Sequence, residues 1–190
     1  DKLIVPKNQL IELTKGSLSL GNLVVESFGV SHDAADPIGI NVYAGNDKAT
    51  VVTDTGVISE SILRRMDDTT LLVLEANYDP HMLRFGPYQP FLKQRVAGDE
   101  GHLSNEMAAR ALLMMNRPDF MQVILAHRSE NNNNAVLVTQ TIGKMLVDSG
   151  VRIGPEMKLQ HGQPNEIVSM QSVKTVSYTH LRAHETRSNL

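Results

Sequence analysis

Three apolar runs in this chain end in a residue that binds metal well: F-G-V-S-His32, V-V-T-Asp54-T-G and V-I-L-A-His127. A fourth, L-L-V-L-Glu75, ends in a carboxylate. In open α/β sheets, ligand and catalytic groups gather where strands stop, so four such ends predict a site along one sheet edge. Imidazole and carboxylate together suit a hydrolytic centre built on a divalent cation. Such a centre needs three or more protein ligands per metal, often with a second metal about 3.5–4 Å away, and two His with one Asp fall short of that.

Taken singly, each of these residues has a plainer role. Asp54 in T-D-T-G is a natural Asx-turn residue ahead of Gly56, and one His after an apolar strand is usually a satisfied turn residue. Glu75 is different, because a carboxylate directly after four apolar residues is costly to bury without a cation or donor. His81 and His161 have no such context and read as surface or loop residues. Met114 and Met115 read as core.

The elements that must position these residues follow from period and punctuation. A turn at Gly21 and Asn22 leads into a β-branched run from Leu23 to Val30, which ends at His32. Ile38 to Ala44, a Gly-Asn-Asp turn and Ala49 to Thr53 form a hairpin leading to Asp54. Ser59 to Met66 has helical spacing, and Thr70 to Leu74 is an apolar strand. Glu75 then opens a long polar loop through Asn77, Asp79 and His81, of the length that tends to be functional. Ser104 is placed as N-cap of a helix to Asn116, with His102 at its mouth. Met121 to Ala126 is a buried strand, 127–134 a polar turn, and Ala135 to Ser149 a helix closed by Gly150. Beyond Gly150 the pattern fades.

A length of 190 residues fits one domain, and 41% apolar residues with a formal net charge of −3 exclude the disordered and membrane-embedded classes. No basic excess advertises nucleic acid. Without Cys there is no disulfide framework, thiolate metal site or Cys nucleophile, which makes a cytoplasmic protein the default expectation. No apolar stretch approaches the ~20 residues of a membrane span. The string V-S-Y-T-H-L-R-A-H-E-T from Val176 resembles a translated sequencing adapter. Residues 176–190 are therefore set aside as a non-native tail, together with His180 and His184, leaving 1–175 as the portion of interest.

In their order, the motifs are more specific than any one of them. The strings V-E-S-F-G-V-S-H-D-A-A-D-P, T-D-T-G-V-I-S, L-E-A-N-Y-D-P-H-M-L, L-K-Q-R-V, G-H-L-S-N-E-M-A-A and L-A-H-R-S-E-N-N-N resemble the metallo-β-lactamase-fold hydrolases, particularly their YycJ/WalJ branch. The related ribonuclease Z enzymes have similar motifs. The resemblance implies an α/β fold, the second half of an αββα sandwich with a mixed sheet and flanking helices, so that residues 1–175 are the C-terminal portion of one such domain. It implies two divalent metal ions, zinc or manganese, with His32 on one, His127 on the other and Asp54 bridging. The remaining ligands of the family lie in an H-x-H-x-D-H motif that this chain lacks. The expectation is therefore that the N-terminal half is missing and that the chain alone is inactive.

The same resemblance implies phosphodiester hydrolysis by the full-length protein, as a 5′ to 3′ DNA exonuclease acting on nucleic acid and not at a membrane. His102 would serve the leaving oxygen, with Glu75 orienting it. Lys93, Arg95 and Arg84 make a basic cluster suited to a nucleic-acid backbone. Asn77, Asn105 and Asn132 would line the substrate side, with the helix from Asn105 offering backbone N–H groups to phosphate. Tyr78 and Arg128 depart from the family pattern, which has His and an apolar residue there. The alternatives are a ribonuclease Z-like RNA endonuclease or other phosphodiesterase, and, in another class, a non-catalytic binding member of the fold.

Overall fold

The computed structural model describes Pro6, Leu13, residues 16–163 and residues 167–169, so the tail set aside above lies outside the described residues. In chain order the elements are β1 (Ser17–Leu20), β2 (Leu23–Gly29), β3 (Ile38–Ala44), β4 (Asp47–Val52), α1 (Glu60–Met66) and β5 (Leu71–Glu75). There follow α2 (Pro80–Phe85), α3 (Pro90–Ala97), α4 (Asn105–Met114), β6 (Met121–Ala126), α5 (Ala135–Asp148) and β7 (Met157–His161).

All seven strands form one sheet, and their spatial order is their chain order. Strands β1 to β4 pair antiparallel, β1 to β2 and β3 to β4 through tight turns and β2 to β3 across the 30–37 loop that carries His32, whereas β4 to β7 pair parallel across helical crossovers. Because β3 reverses twice, β2 runs in the same direction as β4, β5, β6 and β7. Their carboxyl ends consequently share one edge of the sheet, the edge expected from the four terminated runs.

Strand alternation divides the apolar residues between two faces. Val52, Leu72, Leu74, Val123 and Leu125 are buried, and they join Ile62 and Met66 of α1, Ala108 and Leu112 of α4 and Ile142 and Leu146 of α5 in one core cluster. The alternate residues form the other face. There Ile40, Val42, Ala49, Leu71, Val73 and Ile124 are only partly covered, and Ile38 and Val51 are exposed. An apolar sheet face of this kind is what a two-sheet sandwich covers with its second sheet.

Helix starts are fixed by local chemistry. Ser59, Asp79, Ser104 and Asn134 each accept a hydrogen bond from the backbone N–H three residues on, which satisfies an otherwise orphaned donor. Three expectations need correction. The long loop after Glu75 contains α2 and α3, each with a proline in its first turn, where the missing N–H costs nothing. The faded stretch beyond Gly150 contains β7, paired parallel to β6. Met115 is buried, but Met114 at the end of α4 is 69% exposed, because the helix turns it away from the face of Ala108, Ala111 and Leu112.

Candidate metal centre

The shared edge is where the chain leaves regular structure. Asp54 follows β4 by two residues and His127 follows β6 directly, and both have left-handed backbones, with φ of 54° and 52°. Non-glycine residues pay for that conformation in strain of about 1–2 kcal/mol, less for Asp, and such residues cluster at functional sites. The T-D-T-G turn packs against the segment before His102. Gly56 donates its N–H to Ser31 O at 2.8 Å, and a Cβ on Gly56 would lie 2.3 Å from the carbonyl oxygens of Gly98 and Asp99. Gly56→Ala should therefore destabilise the fold by about 1–3 kcal/mol, seen as a lower denaturant midpoint. An unchanged midpoint would mean this approach is not tight.

Glu75, fully buried at the end of β5, is the hub of the site. Its Oε1 accepts from Nδ1 of His102 at 2.7 Å and from Nδ1 of His127 at 2.8 Å. Its Oε2 accepts from the backbone N–H of Thr55 at 3.0 Å and of Leu103 at 3.4 Å. Burial pushes the carboxyl pKa up, but the bonds from His102, His127 and Thr55 outweigh it and leave the group below its ordinary value. The Glu75 hydrogen bond in turn raises the pKa of His127, against its partial burial.

His32 is held differently, by a hydrogen bond from Nδ1 to the carbonyl of Gly101 at 3.0 Å. A carbonyl only accepts, so His32 carries its hydrogen on Nδ1, and the carboxylate of Glu75 imposes the same on His102 and His127. All three rings thus keep Nε2 as the free nitrogen. This is the arrangement of metal-binding imidazoles, which donate their second N–H to a carbonyl or carboxylate.

The residues fit a divalent cation in a second respect. Ligand atoms of His32, Asp54 and His102 lie within 4.8 Å of one another, as do those of Glu75, His102 and His127. Asp54 Oδ1 is 3.8 Å from His32 Nε2 and 3.5 Å from His127 Nδ1, so its carboxylate stands between the two rings. The first group faces a cleft of about 310 Å³ lined also by Asp33, Arg95 and His127. The second group sits behind it, and its contacts are the Glu75 hydrogen bonds that orient the rings.

The structure therefore brings His32, Asp54, Glu75, His102 and His127 together. It distributes the other candidates differently. Arg95 lines the cleft, its Nε paired with Asp33 Oδ2, and the guanidinium lowers the Asp33 pKa. Lys93 instead donates to the carbonyl of Arg84. Asn105 and Asn132 are fully buried. Asn105 exchanges amide hydrogen bonds with Asn133, whose Nδ2 also reaches the carbonyls of Ala76 and Asn77, while Asn132 Nδ2 donates to Ser129 Oγ. These two amides brace loops away from the cleft. Asn77 donates to the carbonyl of His127 at 2.8 Å, helping fix the strained turn. At the start of α4, the Asn105 N–H is taken by the carbonyl of Tyr78 and that of Met107 by Ser104 Oγ. Neither is open to a phosphate.

Sequence reasoning missed Gly101, Thr55 and Asp33. The first two act through backbone atoms and carry no side-chain signal for it, whereas Asp33 was legible as the acid beside His32.

A mixed sheet with a His and carboxylate cluster along the carboxyl ends of its strands defines the metallo-β-lactamase class of metal-binding folds. The chain belongs to the beta-lactamase superfamily domain family, whose model matches residues 4–127. It is 32% identical over 170 residues to an exodeoxyribonuclease YycJ from Bacillus anthracis, covering 89% of this chain and 64% of that protein. It is 31% identical over 155 residues to an exodeoxyribonuclease WalJ from Streptococcus pneumoniae serotype 2, covering 82% of this chain and 58% of that protein. The chain thus spans less than two thirds of the length of these relatives. The metallo-beta-lactamase fold protein YhfI from Bacillus subtilis superposes with a TM-score of 0.55 at 12% identity, over 78% of this chain and 50% of the other. Zinc-bound PqqB from Methylobacterium extorquens gives 0.52 at 17% identity, over 80% and 50%. Among the described residues no helix is long and apolar enough to cross a membrane.

Proposed function

We propose that the longer protein of which these residues form part is a metal-dependent DNA exonuclease with 5′ to 3′ polarity. The observation that carries this reading is the set of three imidazoles, each with Nδ1 tied and Nε2 free, around the Asp54 carboxylate. The names of the two relatives point the same way. His32 and His127 would hold the metals, zinc or manganese, with Asp54 between them and further ligands supplied from outside these 190 residues. Two divalent cations there would supply hydroxide near neutral pH and stabilise charge on the attacked phosphate.

The chain's own residues would do the rest. Asp54 sets its Oδ1 between the His32 and His127 rings, and its left-handed turn helps fix that orientation. His102, held through Nδ1 by Glu75, would first take a second proton on Nε2 and, as the imidazolium, pass that proton to the leaving oxygen. Arg95, held at the rim by Asp33, would contact the DNA backbone. On this reading residues 1–175 alone, lacking part of the ligand set, bind metal weakly and cleave no DNA.

The test is to incubate the longer protein, loaded with manganese or zinc, with double-stranded DNA labelled at either end and with a precursor RNA. Release of the 5′ label as short products is expected. Release from the 3′ end alone, or cleavage of RNA alone, would refute the assignment.

A further inference from the structure

The metal centre opens on two adjoining clefts of about 310 and 320 Å³. Both are bordered by His102 and His127, and both also by Tyr88 and Val96. Val96 is buried in the small core beneath α3. Tyr88 is only half-buried against that core, so the rest of its ring borders the clefts. Apart from the imidazoles, it is the one ring in either lining.

The ring is held in place. Tyr88 stands between Pro87 and Pro90 where α2 joins α3, and each proline fixes its own φ. A Cβ on Gly86 would lie 2.8 Å from Asn132 Oδ1, so this connection is packed closely against the turn after β6. From the same turn Asn131 Nδ2 donates to the Tyr88 hydroxyl, at a long 3.4 Å. Among the described residues no ring or cation stacks on Tyr88. Phe85, although 66% exposed, already has the His81 ring at 4.6 Å and the Arg84 guanidinium at 5.3 Å from its centroid.

Charge alone does not suit these clefts to a nucleic-acid strand. Their linings set Asp33, Asp54 and Glu130 against Arg95 and Arg128, and Arg95 is already paired with Asp33. Metals would attract the attacked phosphate, but the walls offer its neighbours little net charge. A free aromatic face supplies an attraction of another kind, because bases stack on aromatic side chains whatever their sequence.

We propose that Tyr88 is the platform on which a nucleobase next to the scissile phosphate stacks, so that the strand is unpaired at that nucleotide. This rests on the nuclease reading above. A base inside a duplex is stacked on its neighbours, so one that lies on Tyr88 has left the helix. The bound species is a frayed or single-stranded end, with little preference among the four bases.

The test varies protein and substrate together. Fluorescence anisotropy measures binding of the longer, metal-loaded protein to single-stranded oligodeoxynucleotides with phosphorothioate linkages, which resist hydrolysis. One oligonucleotide carries all its bases, and in the others one abasic nucleotide occupies each of the three terminal positions at either end in turn. With Tyr88 in place, one abasic position should weaken binding about tenfold, the size of one stacking contact. Tyr88→Leu keeps apolar bulk against the core but has no ring. It should bind the intact strand about tenfold more weakly than the parent and lose nothing further at that position. Tyr88→Phe should match the parent, since stacking does not use the hydroxyl.

A purely structural Tyr88 predicts instead that Tyr88→Leu weakens intact and abasic strands alike and keeps the abasic penalty, and that outcome overturns the proposal. Parental affinity in Tyr88→Leu, or no DNA binding by the parent, overturns it too. The abasic penalty is read without cleavage. A protein that shows it but releases no label from ordinary DNA therefore refutes the nuclease reading and leaves the stacking contact standing, whereas an active nuclease without the penalty refutes the stacking contact alone.

Discussion

On the nuclease reading proposed above, Asp54→Ala should lower DNA hydrolysis by the longer protein on the order of 10³-fold or more, because a cation that activates water takes several kcal/mol off the barrier. Asp54 is the carboxylate between the His32 and His127 rings, and its side chain is still 43% exposed to the cleft. Its removal leaves those rings without a shared anionic partner. Asp54→Asn separates charge from shape, since Asn tolerates the left-handed backbone as Asp does. It should fall nearly as far in rate while keeping the fold. Initial rates on end-labelled DNA, with metal content of the purified variants, decide the matter, and an Asp54→Ala enzyme cleaving at the parent rate would remove the site assignment.

Replacing Glu75 reaches further than its distance from the cleft implies. One oxygen orients both His102 and His127, and the other satisfies the N–H groups of Thr55 and Leu103. In Glu75→Gln the amide N–H groups must face either the imidazole hydrogens or the backbone donors, so donor meets donor on one side. Metal affinity should drop by about 10–100-fold, as for other lost partners of ligating imidazoles. Stability should fall by about 1–3 kcal/mol from the unsatisfied buried groups. Metal titration and denaturant melts measure the two effects separately. A variant with parental affinity would mean that the Glu75 bonds do not set the rings.

Much of this was legible in the sequence because strand ends announce themselves. His32, Asp54, Glu75 and His127 each close an apolar run, and parallel strands place such closures on one edge. What the sequence did not disclose depends on segments meeting across space. Nothing local marks the Gly101 carbonyl as the acceptor for His32, 69 residues away. Nor does any pattern tell that Glu75 serves His127 as well as His102. Asn105 was expected on the substrate side because a helix begins there and Asn132 because it matches the family's paired Asn, and only the three-dimensional packing places both amides in the interior. The helices α2 and α3 did leave a signal in Asp79-Pro80 and Gln89-Pro90, but a short helix offers too little periodicity to stand out from a polar loop.

The left-handed turns at Asp54 and His127 carry a consequence for how such a chain can change. Glycine would occupy either position without conformational penalty. Random substitution followed by selection for solubility or thermal resistance would therefore tend to enrich changes at these two positions while erasing the chemistry. Robustness and activity pull apart here at the level of single backbone angles, and a screen that rewards only the first will drift toward a sturdier, inert protein.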